Sequence, residues 1–416
     1  MNTQGDSAPD RNPGTNTVGH LDEAKTEPST LNLKPATGQK PGGQNGGQPT
    51  PRPGCPASGC GRCPRAAEPV IPQRQRLGLV LNPETAALIQ AGLEGIAAAY
   101  RFIPERDARE MKIRSGDVLR RDLPDLDVKM ITNFGTGEAE PILTVAGFRA
   151  LRYTPPTPVS GHGDDCLVAV ADLLLLGIYD LMGVEPVAYS FENYGRLFRN
   201  VVPAAAGQLS SHGYDRELPF HIDNPCGWLE GAEPAIVDGV TGKLSPVPHY
   251  LGFVGLRNQD AMGRPVATED LPFVPVLAQL EEDVRKTLEQ PEFRIEPPAS
   301  NDTCALVGVP LVVRKGRQTL VRYSGGGDAV SGLTNKARAA LVRLNEAVEA
   351  SAHLAEVVAV EPGMIHVFDN YRVAHRRPSF DPGELKTARW LRRCYAATAL
   401  AHGRFLDRVH RPNEWT

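Results

Sequence analysis

Two histidines and one carboxylate, divided into a close pair and a distant partner, are the residues of this chain best suited to hold a catalytic metal. His221 and Asp223 lie in ELPFHIDNP, and His375 lies far downstream in GMIHVFDNYRVAHRR. Such a set can cap one face of a ferrous ion and leave the remaining positions open. A His-x-Asp pair on a strand points both side chains the same way, because strand side chains alternate with period two. Beyond His375 comes an arginine cluster, Arg389, Arg392 and Arg393. A guanidinium fork pairs a carboxylate through two parallel, charge-assisted hydrogen bonds. The stretch 363–394 reads as two strands joined by a polar turn, with His375 closing the first and the arginines on the second. Together with ELPFHIDNP it predicts a mononuclear iron site with an arginine-anchored co-substrate.

The His-x-Asp motif has rivals. His162-Gly163-Asp164 repeats it, but it precedes a helix start, where Asp164 serves better as a cap. His212 lies in the loop-like SSHGYD. Taken alone, His221 is equally well read as a hydrogen-bonded strand histidine, and it is His375 and Arg389 that tilt the balance. His366 alternates with Met364 and Phe368, which fits an interior histidine.

The elements that must position these groups are mostly short strands. ELPFHID, PHYLGFVGLRN, CALVGVPLVVRKG, QTLVRYS, MIHVFDN and RWLRRCYAATA are apolar or alternating and bounded by turn residues. Helices are predicted to start at Asn82-Pro83-Glu84, with Leu88, Ile89, Leu93 and Ile96 on one face, and to span about 166–182, 274–289 and 334–352. Asp164 and Asp165 are placed to cap the second of these. The pattern predicts a mainly β fold, a double-stranded β-helix (jelly-roll) core with flanking α-helices.

Residues 1–72 are built from Gly, Pro, Asn, Gln, Thr and Ser and cannot bury enough apolar surface to offset chain entropy, so they are predicted to be a disordered tail. Residues 73–416 suffice for one large domain. The tail's Cys55, Cys60 and Cys63 have the C-x4-C-x2-C spacing of iron–sulfur ligands, yet the fourth ligand is absent within reach, and an incidental cluster is the preferred reading. A net charge of -4 gives no basic face for nucleic acid. The apolar run 167–184 contains Asp172 and Asp180, which favours a buried helix over a membrane span. With no signal-peptide core at the N-terminus, the expected location is cytoplasmic.

GRLFRNVVP, LPFHIDN, PHYLGFVGLRN and PGMIHVFDNYRVAHRR followed by RWLRR together resemble the iron(II)/2-oxoglutarate-dependent oxygenases, within them the clavaminate synthase-like and taurine dioxygenase group. The resemblance covers most of residues 185–400. It implies Fe(II) held by His221, Asp223 and His375, with 2-oxoglutarate and O2 as co-substrates. Arg389 matches the arginine that binds the distal carboxylate of 2-oxoglutarate, with Thr268 assisting. Arg393 matches a substrate-carboxylate position, and Asp328, in VRYSGGGDAVSG, is a candidate partner for a cationic group. Asn370 and Arg377 read as scaffold, one fixing the turn before the His375 strand and the other pairing with a neighbouring carboxylate.

The implied activity is hydroxylation of an unactivated C–H bond in a free amino acid or amino-acid-derived small molecule, within specialised (antibiotic-type) biosynthesis. Many clavaminate-like members have His-x-Glu where this chain has His-x-Asp. Either supplies a carboxylate, and its presence speaks against halogenation. The alternatives are a desaturase or cyclase on the same scaffold, a zinc hydrolase using the same three residues, and a non-catalytic scaffold recruiting partners through its tail. The hydrolase has no use for Arg389.

Overall fold

The computed structural model describes residues 76–99, 103–148, 153–161, 165–204, 206–208, 210–229, 245–298, 305–402 and 413–415, giving only the backbone of Asp165, Asp328 and His402. The cysteine cluster of the tail and His162-Gly163-Asp164 lie outside these residues.

A helical layer comes first in the chain, after strand β1 (Arg76–Val80). Helix α1 (Pro83–Ala99) opens as its sequence dictates. Pro83 occupies the first turn without forfeiting a bond, and Asn82 Oδ1 accepts Thr85 N–H at 2.8 Å. Ala86, Ile89 and Leu93 set its buried stripe, and Leu88, expected on that face, is rotated out to solvent. Helices α2 (Pro104–Asp122) and α3 (Asp125–Gly135) follow, then strand β2 (Ile142–Ala146) and helix α4 (Ala169–Met182). Residues Asp165–Val168 form a 3-10 turn instead of the first helical turn. The residue preceding α4 is Val168, which has no side-chain oxygen; Asp164 and the side chain of Asp165, expected to cap the helix, lie outside the described residues. Gly183, at φ 70°, ends α4 in the left-handed conformation that glycine adopts without strain.

Apart from Val170 and Asp180, every residue of α4 is buried, because the helix is covered on one side by α2 and α3 and on the other by the main sheet. The two carboxylates of this apolar run are accounted for. Asp172 receives a two-pronged bond from Arg392 (Nε to Oδ1 2.8 Å, Nη2 to Oδ2 2.6 Å), and Asp180 receives Arg120 Nη2 at 2.5 Å. Among the described residues no helix is long and apolar enough to cross a membrane.

The remaining strands are β3 (Glu185–Tyr189), β4 (Phe198–Val201), β5 (Leu218–His221), β6 (Tyr250–Arg257), β7 (Ala267–Pro272), β8 (Phe293–Ile295), β9 (Leu306–Val309), β10 (Val312–Lys315), β11 (Gln318–Val321), β12 (Val330–Gly332), β13 (Glu356–Ala359), β14 (Ile365–Asp369), β15 (Val373–Arg377), β16 (Trp390–Ala397) and β17 (Glu414–Trp415). The main sheet runs β1-β2-β14-β6-β16-β3-β17, with β4 also on β16. The smaller sheet runs β13-β7-β15-β5. Val187, Leu251, Phe253, Phe368 and Leu391 of the main sheet share a buried cluster with Val358 and Val373 of the smaller one, so the sheets face each other across it. The fold is mainly β with flanking helices, as expected.

Two expectations are corrected. The stretch 363–394 contains three strands, not two: β14 and β15 are joined by a tight turn at 369–372, and a longer loop leads to β16. The helix expected over 274–289 is two short helices, α5 (Phe273–Ala278) and α6 (Glu282–Leu288), separated where Leu280 turns into the core and Glu281 becomes extended. Helix α7 (Asn335–Ser351) agrees with expectation, and Thr334 caps it by accepting Ala337 N–H at 3.0 Å.

The Asp172–Arg392 pair is fully buried. Asp172→Ala strands a buried guanidinium, so chemical denaturation is expected to show a loss of about 3–5 kcal/mol.

Candidate metal site and its cavity

His221 ends β5 and His375 lies opposite it on the antiparallel neighbour β15. Asp223 lies beyond the end of β5, so strand alternation alone does not aim it. The aim comes from Asn370, in the turn between β14 and β15. Asn370 Oδ1 accepts Asp223 N–H at 2.9 Å, and its Nδ2 donates to Asp223 O and to Pro248 O, each at 3.0 Å. One side chain thus fixes both backbone groups of Asp223. The turn that carries Asn370 is held by Asp369, which accepts Tyr371 N–H at 2.9 Å and Arg372 Nε at 2.6 Å.

The ligand atoms of His221, Asp223 and His375 lie within 4.8 Å of one another. Asp223 Oδ1 is 3.3 Å from His221 Nε2 and 3.7 Å from His375 Nε2. His221 Nδ1 is 2.8 Å from Pro219 O. A carbonyl only accepts, so Nδ1 donates to it and Nε2 is the nitrogen turned toward Asp223. Burial, reinforced by the neighbouring His221, pushes His375 down to about 3, so its ring is neutral. Burial alone would raise the carboxyl of Asp223, but Arg393, with His221 and His375, holds it far below the usual carboxylate range. Two imidazole nitrogens and an ionised carboxylate oxygen converge within 4.8 Å, a donor set suited to a divalent cation.

These groups open into a cavity of about 680 Å³. Arg389, just before β16, lines it, is almost wholly buried, and gives Nε to Asn258 Oδ1 at 3.0 Å. Among the described residues no carboxylate pairs with it. Burial, aided by the charge of Arg377, pulls its guanidinium down to about 9, the mark of a buried cation short of an anion. Thr268 of β7 and Phe253 of β6 line the same cavity. Asn258 was not singled out in the sequence; its one signal is an amide at the end of the strand-like LGFVGLRN.

Arg393 also lines the cavity, but its guanidinium is engaged: Nη1 donates to Asp223 Oδ2 at 2.9 Å and Nη2 donates to Glu192. Glu192, which sequence reasoning passed over, also accepts Arg199 Nη1 at 2.7 Å and Asn224 Nδ2 at 3.2 Å, and lies 3.0 Å from the Tyr395 hydroxyl oxygen. Ser324, Gly326 and Ala329 of the Gly-rich turn reach the cavity; the side chain of Asp328 lies outside the described residues. Arg377 donates to the carbonyls of Pro378, Gly213 and Arg216, in place of the carboxylate expected for it. His366 is fully buried with Nε2 2.9 Å from Asp270 Oδ2, an interior histidine as expected. His212 lies apart from the cluster, with Nδ1 3.1 Å from Val202 O.

Residues 278–395 match the family described as taurine catabolism dioxygenase TauD, TfdA family. That match includes His375, Arg389 and Arg393, whereas His221 and Asp223 lie ahead of it. Among solved structures, the chain is similar to asparagine oxygenase in complex with Fe(II), 2S,3S-3-hydroxyasparagine and succinate, with a TM-score of 0.66 and 20% identity over 81% of this chain and 98% of that one. It is also similar to the non-haem iron oxygenase OrfP in complex with Fe and alpha-ketoglutaric acid, with a TM-score of 0.65 and 21% identity over 82% of this chain and 100% of that one. At these identities the likeness establishes a shared fold. No curated protein sequence matches the chain.

The turn that positions Asn370 depends on a charge. Burial opposes ionisation of Asp369, but Arg372 and His249 outweigh it and bring its carboxyl from 3.8 to about 2. A folded-state value below the unfolded one means a contribution present at neutral pH and lost as pH falls toward 2. Asp369→Asn is therefore expected to lower stability by about 2 kcal/mol at neutral pH. The gap from the unsubstituted protein, followed by denaturation at stepped pH, should close only in strong acid.

Proposed function

We propose that this protein is an Fe(II)/2-oxoglutarate-dependent dioxygenase that hydroxylates an unactivated C–H bond of a free amino acid or amino-acid-derived small molecule. The observation that carries this reading is one cavity holding both a convergent His-Asp-His set and a buried arginine short of an anion. A zinc hydrolase would need the first and has no use for the second, so Arg389 favours the dioxygenase. A desaturase or cyclase would share the same site.

Iron(II) in this site would supply the activation of dioxygen, coupled to conversion of 2-oxoglutarate to succinate and carbon dioxide. The protein's own residues bind and orient. His221, Asp223 and His375 would hold the metal through two imidazole nitrogens and one carboxylate oxygen. Arg389, held in place by Asn258, receives the distal carboxylate of 2-oxoglutarate, with the Thr268 hydroxyl beside it. Phe253 closes that end against water. On the substrate side, Arg393 and Arg199 alternate with Glu192. A wall of alternating charge suits a zwitterion, with Arg393 toward its carboxylate. Asp328, on the Gly-rich turn, is placed in sequence to meet a cationic group. Asparagine oxygenase and OrfP, whose structures include hydroxylated asparagine and arginine, support an amino-acid substrate. A place in specialised biosynthesis and a cytoplasmic location belong to this same proposal.

Anaerobic addition of ferrous ion and 2-oxoglutarate to the purified protein is expected to produce a visible charge-transfer band that neither gives alone. Bound zinc with no band would favour the hydrolase. His221→Ala and Asp223→Ala should abolish succinate release while leaving the far-ultraviolet circular dichroism intact. Arg389→Met, which removes a charge-assisted pair, is expected to weaken 2-oxoglutarate binding by roughly 10- to 100-fold. An unchanged apparent affinity would remove Arg389 from this role.

A further inference from the structure

We propose that Tyr395 is a positioning residue for the candidate metal carboxylate, acting with Arg393 to hold Asp223 Oδ2 so that Oδ1 alone is presented to the metal. This inference rests on the metal site above and concerns how its one anionic ligand is aimed.

Tyr395 follows Arg393 by two on β16, so both side chains leave the strand on the cavity face. Its hydroxyl is 2.9 Å from Asp223 Oδ2, the oxygen that also accepts Arg393 Nη1 at 2.9 Å. Oδ1 is left facing the two imidazole nitrogens. The phenol has one proton to donate and two carboxylates within reach, Asp223 and Glu192 at 3.0 Å. Glu192 already receives Arg199, Arg393 and Asn224. Asp223 Oδ2 receives only Arg393 besides the phenol, so the phenolic proton is better used there. A carboxylate with one oxygen tied by two donors cannot rotate to offer both oxygens to a cation.

The two donors are themselves locked. The Arg393 guanidinium lies over the Tyr395 ring, 4.3 Å from its centre. The ring in turn meets Tyr189 edge-on, with centres 5.7 Å apart at 81°. Glu192 ties the far side of the pair, and the chain goes to some cost to put it there. The next residues, Asn193 and Tyr194, are non-glycine residues in the left-handed region, at φ 52° and 58°. Gly195 follows at φ 68°, where a Cβ would strike the Glu414 carboxylate. Strained backbone of this kind persists where the surrounding structure fixes it. Here it delivers an acceptor to the two side chains that, among the described residues, hold Asp223 Oδ2.

Tyr395→Phe removes one hydroxyl and keeps the ring, its packing and the Arg393 stack. The full-length chain is compared with the unsubstituted protein by two readouts that need no substrate: cobalt(II) affinity from visible absorption in competition with a chelator, and the energy of the anaerobic Fe(II)/2-oxoglutarate charge-transfer band. Loss of a group that orients a metal ligand is expected to weaken cobalt binding by about 10- to 100-fold, and the band should shift. The affinity of an already metal-loaded protein for 2-oxoglutarate, governed by Arg389, should move little. Tyr189→Phe, whose hydroxyl donates to Pro246 O at 2.7 Å and not to the site, is the packing control and should bind cobalt normally. Cobalt affinity within twofold of the unsubstituted protein would overturn the proposal, as would an equal loss in Tyr189→Phe. Should Tyr395→Phe not fold, Glu192→Gln, which loosens the same pair from its far side, must weaken cobalt binding or the proposal falls. Absence of a charge-transfer band in the unsubstituted protein would count against the dioxygenase reading, while the cobalt comparison would still decide the role of Tyr395.

Discussion

The site depends on a side chain that touches neither a metal position nor the cavity: the amide of Asn370. It sits in the turn between β14 and β15, directly after the one strand and three residues before the other, which belong to opposite sheets, and it grips Asp223 by both backbone polar groups. His375 leaves the same turn on β15, opposite His221. The distance between the downstream histidine and the upstream His-x-Asp pair is therefore set locally, through one amide, although about 150 residues of chain separate them in sequence. Asp369 keeps that turn in shape by accepting from Tyr371 and Arg372.

Around this lock the protein manages buried charge in two contrasting ways. Where charge serves the fold it is cancelled completely: Asp172 faces Arg392 in a two-pronged bond, with no exposure on either side, and joins α4 to the main sheet. Where charge serves the cavity the cancellation is left incomplete. Arg389 has an amide partner and no carboxylate among the described residues, and the His221 and His375 nitrogens crowd the single oxygen Asp223 Oδ1. Each such deficit has a sign, and the sign names what fits: an anion beside Arg389 and a cation among His221, Asp223 and His375. Low local dielectric makes both deficits costly when unfilled and selective when filled.

Much of the local structure was legible in the sequence. The start of α1 at Asn82-Pro83-Glu84 and the Thr334 cap of α7 follow from side-chain chemistry that acts within a few residues. The interior placement of His366 followed from alternation along its strand. Readings failed where tertiary contacts override a local pattern. The helix expected over 274–289 breaks because Leu280 is drawn into the core, and Arg377 satisfies itself on the carbonyl of its neighbour Pro378 and on those of Gly213 and Arg216, which lie far upstream in the chain.

What the sequence by itself determined is which chemistry was available: histidines and an aspartate in separated motifs, arginines after the second, and apolar stretches of strand length to carry them. Residue type and short-range spacing encode this, since ligand softness and guanidinium geometry belong to the side chains themselves. What only the tertiary structure decided is how those groups are aimed. Glu192, Asn258 and Tyr395 are unremarkable residues in sequence, and each matters only because strands distant in the chain bring it within hydrogen-bonding distance of Arg393, Arg389 or Asp223. Aim is a matter of distances and angles between non-neighbouring strands, and sheet pairing, which sets those distances, is a property of the whole fold.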